Sequence, residues 1–414
     1  MKVKIADIAI LNASPKKYKG IYSEIQYLDT SSVDQGRFLG FQTLDVANDD
    51  IPSRAQRAVK DRTIVISSVR PNLKHYAFFK KPDDNVIVSS GFITVDANES
   101  KIDAEYLYYA LTSNQATAYL DAIASTAVSS YPSFNPEDLG NYEIEIPESL
   151  DTQRAIAKIL SDIDSKISNN AAICSDLEAM AKLLYDYWFV QFDFPDENGK
   201  PYKSSGGKMF WNEELKREIP DGWEIKKLKE IENSIITGKT PSTKESDNFN
   251  GDIPFITIGD IRGNTFIAST EQTLSEKGAN SQRNKFIPDG ALCVTCIASP
   301  GLLGFATQKS QTNQQINTVI CSNPTNKWFL YFAIRQSFEI TAGAKMGNTF
   351  ANMNKDDFSN IRILYSNKIV EKYANMVDLY FMSIKERIIE NKELASLRDF
   401  LLPMLMNGQV KIKE

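Results

Sequence analysis

Two hydrophobic periodicities alternate along this chain, and the alternation occurs twice. Residues 62–69 and 85–95 are short β-branched runs bounded by turn residues, the pattern of strands. Residues 142–146 alternate apolar and polar positions and stop at Pro147, as a half-buried strand does. Residues 103–120 place Tyr106, Leu107, Ala110, Leu111 and Tyr119 at helical spacing instead. The plan returns over 221–366, with strands at 254–258 and 291–297 and a helix at 327–338. The wording repeats with the pattern: 63–71 is echoed at 292–300, 106–111 at 329–334, and 134–139 at 353–358.

After each copy comes a long helical stretch, 151–190 and 367–406. In the first, Ile156, Ile163, Leu177 and Leu184 keep heptad spacing. Ile159, Ile173 and Met180 follow three residues later, and Leu160, Ile167, Cys174, Ala181 and Trp188 widen the stripe. A constant shift of 217 lays Tyr373, Tyr380, Leu394, Leu401, Met376, Leu397 and Met404 on the second, and Arg387 on the interruption at Asn170. A helix of 40 residues is about 60 Å long, and the economical partner for each exposed stripe is the other copy.

The fold class expected is therefore α+β: two similar mixed-sheet domains separated by two long helices packed as a coiled coil, a pseudo-twofold repeat. The expected boundaries are 1–150 and 221–366 for the domains and 151–190 and 367–406 for the helices. A linker rich in glycine, proline and charge fills 191–220, and 407–414 forms a tail.

Composition narrows the function. The chain has 414 residues, 42% hydrophobic, which suits two cored domains plus connectors. It has no apolar run able to span a bilayer and no apolar core of a signal peptide near Asp7. Its four cysteines have no framework spacing, so a cytoplasmic setting is expected. The net charge of −6 disfavours binding nucleic acid over the whole surface but not at a local patch. Between 52 and 81 stand eight basic residues and one acid, Asp61. Residues 290–338 contain no acid at all, but carry Lys309, Lys327, Arg335 and many side-chain amides. Patches at matched places in two repeats fit paired readers of an extended repeating ligand such as DNA.

A resemblance sharpens this. Leu184, Trp188, Phe192 and Pro195, then the run from Asn198 to Lys208 and Ile219, Pro220, Gly222 and Trp223, resemble the specificity subunit of type I restriction-modification systems. So do Thr237, Gly238, Lys239, Thr240 and Pro241, the run Gly251 to Pro254, and the ending Leu401, Pro403, Asn407 and Gly408. The resemblance covers nearly the whole chain. It implies two target recognition domains, each reading half of a split double-stranded DNA sequence, with the helices setting the gap. As partners it implies two S-adenosylmethionine-dependent adenine methyltransferase subunits and a translocase-nuclease subunit able to join them. It implies no catalysis and no cofactor in this chain. The first domain departs from the pattern, offering Ile51 to Arg57 where the second has 237–242.

Phosphate contacts call for cations and small donors on loops, and base readout calls for forked or amide side chains. In the first domain these are Ser53, Arg54, Gln56, Arg57, Arg70, Asn72 and Lys74, with Ser129, Ser130 and Tyr131 from the hydroxyl-rich loop. In the second they are Lys345, Asn348 and Thr349, a loop resembling a recurrent family loop near DNA, then Lys239, Thr240, Arg262, Ser299, Gln308, Gln314 and Gln315. Asn135 and Asn354 stand three residues before Asp138 and Asp357, the spacing of a capping box.

Catalytic patterns are missing. His75 is the sole histidine, and Cys293 with Cys296 lacks the second pair of a zinc site, so both cysteines are expected as buried apolar side chains. Gly206, Gly207 and Lys208 do not make a phosphate loop. Asp196, Glu224 and Lys226 could be drawn as a nuclease set, but Asp196 lies in the linker. Two other classes stay open: a nuclease using such scattered acids, and a scaffold whose helices bind only proteins. A specificity subunit for a standalone methyltransferase is the near variant.

Overall fold

The computed structural model describes residues 1–13, 18–126, 132–344 and 352–410. It forms two compact units, Met1–Ser165 with Leu394–Glu414, and Lys166–Glu393. Both divisions fall inside long helices, so each unit holds one mixed-sheet module and a segment of both helices.

In the first unit, strands Ala9–Leu11, Phe92–Ala97, Ile64–Ser67 and Tyr76–Phe78 lie in that order, all antiparallel. A second sheet runs Gln42–Asp45, Glu24–Leu28, Val86–Ser89, Ala55–Ala58, with Val86–Ser89 parallel to Glu24–Leu28. The run 85–95, expected as one strand, breaks at Ser90 and Gly91 and feeds both sheets. Lys2–Lys4 pairs with Glu143–Glu145. The expected helix 103–120 is two helices, Ala104–Thr112 and Asn114–Ala124. Ser113 has extended backbone and its hydroxyl accepts from Ala116 N, so a serine that starts one helix ends the other.

The second unit repeats the plan. Ile235–Thr237, Ile316–Val319, Leu292–Thr295 and Leu303–Ala306 keep the antiparallel order of the first unit's sheet, and Phe266–Ile267 adds a parallel edge strand. Gln272–Leu274, Phe249–Ile256 and Gln311–Thr312 form the companion sheet, whose last pair is again parallel. Glu224–Lys227 pairs with Arg362–Tyr365, as Lys2–Lys4 does with Glu143–Glu145. The class is α+β in two similar mixed-sheet modules.

The long helices are Leu150–Tyr185, which widens into a looser turn over Asp186–Val190, and Asn367–Met406. They pack antiparallel within each unit. In the second unit Tyr373 Oη donates to Ala181 O, Cys174 Sγ lies against Ile384 O, and Asn170 Nδ2 donates to Glu390 Oε2 and Asn391 Oδ1. In the first, Asp164 accepts from Arg398 Nη1 at 2.8 Å. The buried stripe follows Ile156, Leu160, Ile167, Asn170 and Ala181. Ile173, Met180, Met376 and Leu397, expected inside, are exposed, because a stripe drifting at 3.6 residues per turn leaves one heptad column outside.

Each module packs against its own helix segments. In the first unit Ile64, Ile93, Tyr106 and Leu107 meet Ile156 and Leu160. In the second the Trp328 and Phe381 rings stack with centroids 4.3 Å apart, beside Phe305 and Tyr331. The segment 191–220, expected as loop, contains a hairpin, Met209–Asn212 with Arg217–Pro220. Its start is anchored by Phe192 and Phe194 against Trp223. The glycines and charges that read as linker are the turns between these anchors.

Candidate nucleic-acid interface

Strand register gathers most of the second module's candidates at one end of its five-stranded sheet. Thr295 faces Ile316, Val294 faces Leu303 and Thr237 faces Asn317, so the loops after Thr237, after Thr295 and before Ile316 share that end. Thr240 Oγ1 donates to Gln314 Oε1 at 2.6 Å, and Lys239 N donates to Thr312 O. Cys296 N donates to Gln315 O, and Asn313 and Gln315 bond side chain to side chain. Arg262 Nη2 stands 3.4 Å from Ser299 Oγ, and the same loop continues to Thr265, whose carbonyl accepts from Phe305 N. Lys239, Thr240, Arg262, Ser299, Gln314 and Gln315 therefore come together. Gln308 does not: it follows Ala306, at the opposite end of the sheet, before the bridge of Ser310 to Ile287.

The first module has the equivalent end, held by the same bonds. Ser68 N donates to Gly91 O as Cys296 N does to Gln315 O, and Phe134 N donates to Ser68 O as Met353 N does to Cys296 O. On this frame Ser90 N donates to Arg54 O at 2.7 Å, Arg57 Nη2 reaches Ser90 O at 3.5 Å, and Arg70 N donates to Pro132 O. Ser53 and Gln56 belong to the same turn, where Gln56 Nε2 donates to Ser53 O. Asn72 is exposed on the short helical turn Pro71–Leu73. Lys74 is turned aside, its Nζ on Asn114 Oδ1 at 2.9 Å.

Ser129, Ser130, Tyr131, Lys345, Asn348 and Thr349 lie outside the described residues. Asn135 and Asn354 cap helices: each side chain accepts from the backbone three residues on, and Asp138 Oδ2 in turn accepts from Asn135 N. Residues at these ends that the sequence did not single out are Ser68, Ser90 and Lys285, whose Nζ donates to Thr237 O, while Asn313 belongs to the amide-rich run but was not among the expected contacts. Ser90 carried no periodic signal. Arg283 and Lys285, separated only by Asn284, were a legible basic cue.

The chemistry of these ends is binding chemistry: guanidinium, ammonium, amide and hydroxyl groups on rigid turns, the inventory for phosphate oxygens and base edges. Cys293 and Cys296 are buried, and burial pushes their thiols up to about 12 and about 11. Among the described residues no cluster of His, Cys, Asp and Glu could hold a metal ion.

Residues 1–179 and 220–395 match the family described as type I restriction modification DNA specificity domain. The chain is similar to the specificity subunit of the type I restriction enzyme HindI of Haemophilus influenzae, 30% identical over 441 residues, covering 94% of this chain and 95% of that protein. It is also similar to the MjaIX specificity subunit of Methanocaldococcus jannaschii, 26% identical over 367 residues, covering 85% and 78%. A crystal structure of the type I restriction-modification S subunit of M. genitalium shares the fold, at 16% identity and a TM-score of 0.57 over 98% of this chain and 96% of that one.

Proposed function

This chain belongs to the type I restriction-modification DNA specificity family, and from that premise we infer that it supplies the DNA sequence specificity of such a system. Each module reads one half of a bipartite double-stranded target, and the long helices set the gap between the halves. The observation that carries this reading is the matched pair of loop ends, built on the same backbone bonds and supplied with Arg54, Arg57 and Arg70 in one unit and Lys239, Arg262 and Gln314 in the other. Ser53, Gln56, Asn72, Thr240, Ser299 and Gln315 are the neutral contacts we assign to the same ends. Ser129, Ser130, Tyr131, Lys345, Asn348 and Thr349 remain assigned from the sequence alone. Lys74 is a weaker contact because Asn114 already holds it, and Gln308 is set aside.

The subunit works in a complex. We assign the chemistry to two S-adenosylmethionine-dependent methyltransferase subunits and cleavage to a translocase-nuclease subunit. The specificity subunit itself is non-catalytic. Exposed apolar side chains on the second unit's helix segments, Met180, Leu183, Met376, Leu379 and Met382, support a protein partner there. No helix among the described residues is long and apolar enough to cross a membrane, and a cytoplasmic complex on DNA is the setting proposed.

Genome-wide mapping of N6-methyladenine in cells with and without this chain tests the reading. The expected result is one split motif that is methylated only when the chain is present. Unchanged methylation would contradict it.

A further inference from the structure

Arginines in this chain are generally occupied. Arg62 pairs with Glu99 and Asp103, Arg335 with Glu178, and Arg398 with Asp164. Arg217 is partly buried, but its guanidinium lies over the Phe192 ring and donates to Val190 O at 3.0 Å. Arg57 is different. It sits on the edge strand Ala55–Ala58 opposite Val88, half-buried, with its Nε buried and lacking any hydrogen-bond partner. Among the described residues its one side-chain hydrogen bond is the long approach of Nη2 to Ser90 O, 3.5 Å. Among the described residues no carboxylate pairs with it, and burial alone lowers its pKa.

A guanidinium partly withdrawn from water, with no counter-charge and a buried Nε left unbonded, carries a cost. Here it is held at the Ser89 to Gly91 turn, the end of the module where Arg54 and Arg70 also lie. Two kinds of arginine serve DNA. A phosphate contact needs charge and reach, which exposed Arg54 has. A base contact needs a planar fork fixed in direction, because two parallel N–H bonds to guanine O6 and N7 tolerate little rotation. With Nε turned into the protein and Nη2 beside the Ser90 carbonyl, Arg57 is fixed in this way, leaving its terminal edge for a ligand.

We propose that Arg57 reads a guanine in the half-site recognised by the first module. The inference rests on the reading of this chain as a DNA specificity subunit and adds the residue and the base. The two acceptors of guanine would meet the terminal edge of the guanidinium, which in the free protein makes only the long approach of Nη2 to Ser90 O.

The test uses the full chain with its methyltransferase partner in cells. Mapping with the unaltered chain first defines the split motif, and Arg57→Lys, which keeps the charge and most of the stem, is then mapped beside Arg54→Ala. The expected result is that one guanine in one half becomes degenerate with Arg57→Lys, while the other half and the gap stay fixed. On duplexes of that motif, discrimination at that base pair should fall roughly 5- to 150-fold. Arg54→Ala should instead weaken all duplexes alike and reduce the salt slope by about one. An unchanged motif with Arg57→Lys, uniform weakening of all duplexes by that variant, or a split motif with no guanine in either half would overturn the proposal while leaving the general function standing. Absence of any motif with the unaltered chain would remove both.

Discussion

Gly238 has no room for a side chain: a Cβ there would lie 2.1 Å from Asn313 O and 2.2 Å from Thr312 Oγ1. This close approach lets the 237–240 segment run along 312–314 and bring Thr240 to Gln314. Gly238→Ala should cost about 1–3 kcal/mol of stability by overpacking and should blur the half-site of the second module, read by thermal unfolding and methylation mapping. Lys239→Ala, which removes a proposed phosphate contact, should leave the motif unchanged and lower the log–log salt slope of binding by about one. In the first unit, Tyr109 donates to Asp164 at 2.7 Å, and its pKa is raised, by burial first and then by the Asp164 charge and that bond. Burial also pushes Tyr76 up to about 12. Phenols with a folded pKa above the ordinary 10.0 give stability that is fully present below pH 10 and lost as pH rises through 12. Unfolding temperatures measured from pH 8 to 11.5 should therefore fall steeply only above 10, and Tyr109→Phe should flatten the fall. Some residue-scale features were legible because they are local: the caps at Asn135 and Asn354 need only three residues of spacing. The meeting of Arg57 with Ser90, or of Thr240 with Gln314, depends on sheet register across many tens of residues, and no local pattern carries it.

Among the elements, the long helices were plain because a heptad stripe needs no tertiary context, but which column faces inward was not. At the buried centre of the stripe stands Asn170, bonded to Glu390 and Asn391. That hydrogen bond is the leading cause holding the Glu390 carboxyl below its usual value, against a smaller opposing effect of burial. A buried amide in an apolar seam fixes register, because any slip leaves it unpaired. Asn170→Ala should cost about 1–3 kcal/mol, seen in chemical denaturation, and Asn170→Gln should recover less than half because its longer arm misplaces the amide. The 209–220 hairpin has the sequence of a linker because its strands are only four residues each and its anchors, Phe192, Phe194 and Trp223, stand outside it in sequence.

For the whole molecule, the duplication was the most legible feature, since two copies of one plan reinforce each other's weak signals. The strand orders of the two modules agree down to the parallel pair in each companion sheet. If the helices set the gap, inserting seven residues at matched places in both lengthens each by about 10.5 Å. The gap in the split motif should then grow by about three base pairs, with both halves unchanged, and a motif with its original gap would remove the helices from that role. The most direct measurement is an exchange of readers. Residues 1–150 are replaced by the corresponding domain of a related specificity subunit of known target, and N6-methyladenine is mapped in cells carrying the hybrid with its methyltransferase. Two independent half-site readers predict a hybrid motif in which one half takes the donor's bases while the other half and the gap persist. A motif altered in both halves, or in neither, would contradict them.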